Sequence, residues 1–258
     1  MKILLTNDDG IEAPGLNALY RSLLESGNEV WVVAPLSDRS GASCSVSIGR
    51  DLLLERRGEN RYALDGSPID CVISALKGGY LPSMPDAVLS GINSGGNLGT
   101  DVIYSGTCGA ARQACLYSVP GIALSIEKKS GTVDSEYRFS ALADFASKNL
   151  EKLIGLCGNL RNKGEGEGYT YFVNVNAPSA DSYNGVRFSE LSRRDYHDRV
   201  FVSERADGKL VSRCVGEGAV ETFGGTSSDF SLVESGCISV SVLYAEAVAD
   251  KSYKDGWF

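Results

Sequence analysis

The chain has 258 residues, enough to bury a substantial core, and its 43% hydrophobic and 22% charged content excludes disordered, collagenous and coiled-coil architectures. A formal net charge of −8 disfavours duplex nucleic acid as a partner, because its backbone needs a basic face; a nucleotide met through a divalent cation is compatible with it. No apolar stretch reaches membrane-spanning length, and Met1-Lys2 leads into a strand-like run without the apolar segment of a signal peptide, so the cytoplasm is the expected compartment.

Ile3-Leu4-Leu5 is an unbroken apolar run that predicts a strand buried on both faces, and it ends in Asn7, Asp8, Asp9 and Gly10. All four are turn residues, so a plain turn is one reading. Two adjacent carboxylates repel unless a cation or hydrogen bonds compensate, so a metal site is the other. Pro14-Gly15 opens a helix whose apolar stripe is Leu16, Leu19, Tyr20, Leu23 and Leu24, with Gly27 as its cap. Residues 30–33 form a second buried strand that ends at Ala34-Pro35 and runs into Leu36-Ser37-Asp38-Arg39-Ser40-Gly41. Strand, helix and strand in that order make a parallel pair, which places this loop on the same sheet edge as Asp8 and Asp9. Open α/β sheets bind their ligands at that edge.

Residues 44–65 read as short strands or a hairpin turning at Arg56-Arg57-Gly58-Glu59-Asn60. Ser67 and Pro68 suit the N-cap and first position of a helix that buries Ile69, Val72, Ile73 and Leu76. A strand at 86–89 ends in the glycine-dense loop 90–99, and Ser105-Gly106-Thr107 leads into an alanine-rich helix. Another buried strand covers 122–126, and one long amphipathic helix is predicted over 135–154, followed by a linker-like stretch at 155–168. Beyond it, 169–175 is strand-like, 185–213 alternates around an Asp207-Gly208 hairpin signal, 229–235 is a short helix and 238–244 a last strand. The expected organisation is an α/β metal- and phosphate-binding core over 1–155. Residues 169–258 then complete that core and add a smaller β-rich extension for oligomer contacts, within one structural domain. Seven cysteines, odd in number and without a Cys-x-x-Cys pair, read as free thiols rather than zinc ligands or disulfides.

Three strand ends thus converge: Asp8 with Asp9, Ser40-Gly41, and Asn93 with Asn97. Every ligand atom on offer is an oxygen, a hard set that suits Mg²⁺ or Mn²⁺. Ser105-Gly106-Thr107 offers free N–H groups and two hydroxyls to an anion at a helix start, with ordinary capping as the other reading. No Walker P-loop or dinucleotide fingerprint is present, which disfavours NTP hydrolysis and hydride transfer. The single histidine, His197, lies in Arg-Arg-Asp-Tyr-His-Asp-Arg, read as a solvated loop or edge, and no Gly-x-Ser-x-Gly elbow supports a catalytic triad. A metal beside a phosphate pocket, with no histidine base, points to metal-assisted hydrolysis of a phosphate ester.

The residues resemble the stationary-phase survival protein (SurE-type) 5′/3′-nucleotidases. The resemblance is carried by Thr6-Asn7-Asp8-Asp9-Gly10, Ala34-Pro35 with Arg39-Ser40-Gly41, Gly66-Ser67-Pro68 with Asp70-Cys71-Val72, and Ser90-Gly91-Ile92-Asn93 with Gly95, Asn97 and Gly99. Asp101, Tyr104-Ser105-Gly106-Thr107 and, less strongly, 173–178, Asp229-Phe230 and 236–240 extend it along the chain. It implies a Rossmann-like three-layer α/β core with a mostly parallel sheet, an exchanged C-terminal extension, and assembly as a homodimer or homotetramer. The implied activity is divalent-metal-dependent hydrolysis of nucleoside 5′- and 3′-monophosphates, with one Mg²⁺ or Mn²⁺ per subunit. The family's metal ligands fall on Asp8, Asp9, Ser40 and Asn93, with Asp8 and Asp9 catalytic; its phosphate-side groups fall on Asn97, Ser105, Gly106 and Thr107. Two stretches depart from the family pattern: Cys108 to Ala114 ends in Gln113-Ala114 where the family usually has an acidic residue and glycine, and 239–243 lacks a Thr-Pro. A metal-dependent nucleotide-sugar transferase and a non-catalytic nucleotide-binding module would use the same pocket. Water and an aspartate are both open as the nucleophile.

Overall fold

The computed structural model describes residues 1–128, 136–158, 168–216 and 220–248. The run Ile3-Leu4-Leu5 lies inside β1 (Lys2–Thr6), with all three side chains fully buried. β1 pairs in parallel with β2 (Glu29–Pro35) on one side and with β5 (Ala87–Ser94) on the other. β3 (Leu54–Gly58) and β4 (Arg61–Leu64) form a hairpin at one edge, and β4 pairs in parallel with β2. On the other side follow β6 (Gly121–Glu127), β7 (Tyr171–Pro178), β13 (Ile238–Tyr244) and β8 (Val186–Phe188). The nine strands run in the order β3-β4-β2-β1-β5-β6-β7-β13-β8, with antiparallel steps at β3–β4 and β7–β13.

Strand pleating sends alternate residues of β1 to opposite faces, and the two faces meet different helices. Ile3 and Leu5 join a core built with Leu16, Leu19 and Leu23 of α1 (Pro14–Glu25), Leu142 and Ala146 of α4 (Ser140–Lys148), and Leu153 of α5 (Leu150–Leu156). Leu4 joins a second core with Val72, Ala75 and Leu76 of α2 (Pro68–Lys77) and Ala110 and Ala114 of α3 (Gly106–Leu116). Helix, sheet and helix are therefore the three layers expected. α2 starts as the sequence suggests: the Ser67 hydroxyl accepts from Asp70 N at 3.1 Å and Asp70 Oδ2 accepts from Ser67 N at 2.9 Å, a closed capping box.

Several expectations are corrected. The strand foreseen at 86–89 continues to Ser94, so Asn93 sits in β5 and not in a loop. The helix foreseen over 135–154 is two helices, and residue 135 lies outside the described residues. The break is at Asn149, whose side-chain amide donates to Phe145 O at 2.9 Å and closes the end of α4, an alternative to helix that asparagine offers readily. The 56–60 turn is narrower, because β3 runs to Gly58. Of the linker-like stretch, 155–156 belong to α5 and 159–167 lie outside the described residues. The alternation over 185–213 marks strands without a buried face. In the hairpin of β10 (Asp198–Glu204) and β11 (Leu210–Gly216), Val200, Phe201, Val202, Leu210 and Val211 are all exposed. Two remaining strands, β9 (Arg193–Asp195) and β12 (Glu221–Phe223), pair with each other, and α6 (Asp229–Glu234) precedes β13. Among the described residues every cysteine is a free thiol, four of them buried, and no helix is long and apolar enough to cross a membrane.

Candidate functional site

Because β2, β1 and β5 are adjacent and parallel, the polar segments at their carboxyl ends share one edge of the sheet. Arg39 N donates to Asp8 O at 2.7 Å and stitches the first two segments together; Asn7 Nδ2 donates to Gly10 O at 2.8 Å and sets the turn after β1. Asp8 is buried, and the first turn of α3 grips its carboxylate: Thr107 Oγ1 donates to Oδ1 at 2.5 Å and Thr107 N to Oδ2 at 3.3 Å. Gly106 permits that approach. A Cβ at this position would lie 3.1 Å from both Cβ and Oδ2 of Asp8 and 3.0 Å from Pro68 Cγ. Asp9 turns towards β5 and accepts from Ser94 N at 3.0 Å.

Asn93 reaches the site through an irregularity in β5. Ser90 pairs with Ala123 and Asn93 with Ser125, so Gly91 and Ile92 stand opposite Leu124 alone, a bulge that re-aims the residues after it. Gly91 has φ +138°, and a Cβ there would lie 2.3 Å from Leu124 O. Asn93 Nδ2 donates to Gly95 O at 2.8 Å, which leaves its Oδ1 as the outward oxygen. Ser40 binds Asp38 Oδ1 twice, from its amide at 2.7 Å and its hydroxyl at 2.6 Å.

A cavity of about 320 Å³ opens at this edge. Asp8, Ser40, Asn93, Asn97 and Ser105 line it, and Asp101, Tyr104 and Tyr196 form another part of its wall. Asp9, Gly106 and Thr107 do not line it; Thr107 commits its hydroxyl to Asp8 instead. Ser105 Oγ accepts from Cys108 N at 3.0 Å as the cap of α3. Asn97 is held by a buried amide network: its N–H donates to Asn176 Oδ1 at 2.8 Å, its carbonyl accepts from Asn174 and Asn176, and its Nδ2 donates to Ser125 Oγ at 2.7 Å.

Burial pushes the Asp8 carboxyl up to about 6; the Thr107 hydrogen bonds hold it down in part, and the Asp9 charge raises it further. Asp9 is also raised, first by burial, against the Ser94 bonds, and then by Asp38. Negative charge is concentrated here without a cationic side chain bonded to either carboxylate in the described residues. Asn7 Oδ1 is buried and has no hydrogen-bond partner among them. No three His, Cys, Asp or Glu side chains converge among the described residues, so a cation would draw on a mixed oxygen set. The donors present fit a hard divalent ion: two carboxylates, the Asn93 amide oxygen and the Ser40 hydroxyl.

Sequence reasoning missed the far wall. The segment around His197 is not simply solvated: Arg194, with its side chain 11% exposed, binds Asp101 Oδ2 at 2.6 Å and approaches Glu127 Oε2 at 3.7 Å. Tyr196 OH donates to Asp101 Oδ1 at 2.8 Å. Burial and that bond push the Tyr196 phenol up to about 12. Asp229, buried, accepts from Gly99 N at 2.6 Å and Ser192 N at 2.9 Å and pins this wall to the glycine-rich loop. The signal available was the two-residue spacing of Arg194 and Tyr196, which puts both on one side of extended chain. His197 itself faces Asp195 and Glu221 on the surface and does not line the cavity.

Fold and site together define an α/β protein with an acidic, oxygen-rich pocket at the carboxyl ends of parallel strands, beside a helix N-terminus. The family model described as Survival protein SurE matches residues 3–198, and the chain belongs to that family. It is 38% identical to the 5′-nucleotidase SurE of Gemmatimonas aurantiaca over 248 residues, covering 95% of this chain and 93% of the relative. It is 40% identical to the 5′-nucleotidase SurE of Methylocella silvestris over 211 residues, covering 81% and 79%. Among solved structures, the SurE protein from Aquifex aeolicus is similar with a TM-score of 0.76 and 31% identity, covering 96% of this chain and 95% of that one.

Proposed function

We propose that this chain is a phosphoric monoester hydrolase that converts nucleoside 5′- and 3′-monophosphates to nucleoside and phosphate with one Mg²⁺ or Mn²⁺ per subunit. The observation that carries the reading is the Asp8–Asp9 pair, two adjacent carboxylates raised by burial at the ligand-binding edge of the sheet. Curated relatives named 5′-nucleotidase support the substrate class.

Asp8, Asp9, Ser40 and Asn93 would hold the cation. Bound there, it supplies Lewis-acid stabilisation of phosphoryl oxygens and a lowered pKa for its water. The remaining chemistry belongs to the chain. Thr107 fixes the Asp8 carboxylate, Gly106 lets α3 come close to it, the Ser105 hydroxyl at the α3 N-terminus orients the phosphate, and Asn97 stands at the cavity wall in its amide network. Water is the nucleophile in this account, with the aspartates as ligands first; trapping a covalent phospho-enzyme during turnover would overturn that assignment. The exposed apolar β10–β11 hairpin supports assembly through residues 169–258 as a homodimer or homotetramer, and the cytoplasm is the proposed compartment. Asp8→Asn or Asp9→Asn should abolish phosphate release while circular dichroism shows the fold retained. Full activity in either variant, or in excess EDTA, would refute the metal site.

A further inference from the structure

The two parts of the cavity wall differ chemically. Asp8, Ser40 and Asn93 make one polar and acidic; Tyr104 and Tyr196 make the other aromatic. Tyr196 is a fixed ring. Its hydroxyl donates to Asp101, and the Arg194 guanidinium, itself bound to Asp101, lies 5.5 Å from the ring centroid. Tyr104 is different. Its backbone is pinned, with its N–H donating to Asp101 O at 2.9 Å and its carbonyl accepting from Ser43 N at 3.1 Å. Its side chain is 67% exposed and makes no hydrogen bond or ring contact among the described residues. The neighbouring Ile103 is 61% exposed. A large ring on a fixed backbone, left uncovered beside a polar and acidic end, is a face for a flat apolar ligand.

We propose that Tyr104 is the stacking platform for the nucleobase of a nucleotide whose phosphate lies at the Asp8 end, with Tyr196 as the fixed wall beside it; this rests on the phosphatase reading of the pocket. Every base presents a π-face, so a stacking platform accepts all bases. The Ser40–Ser43 segment carries both a proposed metal ligand and the amide that holds the Tyr104 carbonyl, which ties the two ends to one distance.

The experiment compares nucleoside 5′-monophosphates with ribose 5-phosphate, which keeps sugar and phosphate but lacks the base. In Tyr104→Ala the ratio of kcat/KM for AMP to that for ribose 5-phosphate should fall roughly tenfold, mainly through KM, and Tyr104→Phe should restore it. In parallel, adenosine binding to the EDTA-treated protein, followed by saturation-transfer NMR, should be present in the wild type and in Tyr104→Phe and lost in Tyr104→Ala. An unchanged ratio, equal losses on both substrates included, would overturn the proposal, as would adenosine binding retained in Tyr104→Ala. If the wild type hydrolyses no phosphate monoester yet binds adenosine in a Tyr104-dependent way, the base platform stands and the phosphatase reading fails.

Discussion

Asp8→Asn should stabilise the metal-free protein at alkaline pH, although it removes a residue proposed as essential. The Asp8 carboxyl is raised from 3.8 to about 6 in the folded state, chiefly by burial. A group raised on folding contributes stability that is fully present below pH 3.8 and is lost as pH climbs through about 6. A shift of about 2 units corresponds to roughly 3 kcal/mol of cost once the group is ionised. Asparagine cannot ionise, and it keeps an oxygen for the Thr107 hydroxyl. Its amide nitrogen, however, would face the Thr107 N–H now 3.3 Å from Oδ2, a loss of about 1 kcal/mol. The net expectation in EDTA at pH 8 is a gain of about 2 kcal/mol, or roughly 4–8 °C in Tm, with the gain vanishing near pH 4. Thermal or urea denaturation of both proteins across that range reads it directly. Saturating Mn²⁺ at about a hundred times Kd should then stabilise the wild type by about 2.7 kcal/mol and leave Asp8→Asn unmoved, reversing the order. If Asp8→Asn is less stable than the wild type at both ends of the pH range, or Mn²⁺ protects both equally, the reasoning about uncompensated charge is wrong.

Gly106→Ala places a methyl against Pro68 and Asp8, so kcat/KM should drop at least tenfold in steady-state assays while overpacking lowers stability by about 1–3 kcal/mol. An unchanged kcat/KM would mean that α3 relaxes without moving the carboxylate. Arg194→Met strips the cation from Asp101 and Glu127, both already raised by burial with Arg194 opposing. Urea denaturation should show a loss of about 3 kcal/mol at pH 8 and a smaller one at pH 5, where the abandoned carboxyls can take up protons. Equal losses at both pH values would point to packing and not charge.

Periodicity carried the layered core because each buried strand residue has only two faces to choose between. Ile3, Leu4 and Leu5 were legible as doubly buried, and the helical stripe of α1 and the Ser67-Pro68 start of α2 are where their residue types place them. The site was legible for the same reason: parallel order puts the ends of β1, β2 and β5 on one edge, and Asp8, Ser40, Asn93, Asn97 and Ser105 do line one cavity. What pattern could not supply was long-range. Arg194 and Tyr196 read as a solvated charged run because their partners, Asp101 and Glu127, are distant in sequence. Thr107 read as a phosphate donor because nothing local reveals that Asp8 takes its hydroxyl. The bulge at Gly91-Ile92 lies in a stretch whose glycines look like loop, so the pattern ends the strand at 89, four residues before Asn93. The Asn149 break was likewise overridden by an amphipathic stripe that continues across it.

Phosphate release from a panel of nucleoside 5′- and 3′-monophosphates, using EDTA-stripped protein with and without added Mn²⁺ or Mg²⁺, decides whether this chain is a metal-dependent nucleotidase. The stripped protein should release none, adding the cation should restore release, and Asp8→Asn and Asp9→Asn should not recover. Hydrolysis that persists in EDTA, or stripped and reloaded protein that releases no phosphate from any nucleotide, would contradict that reading.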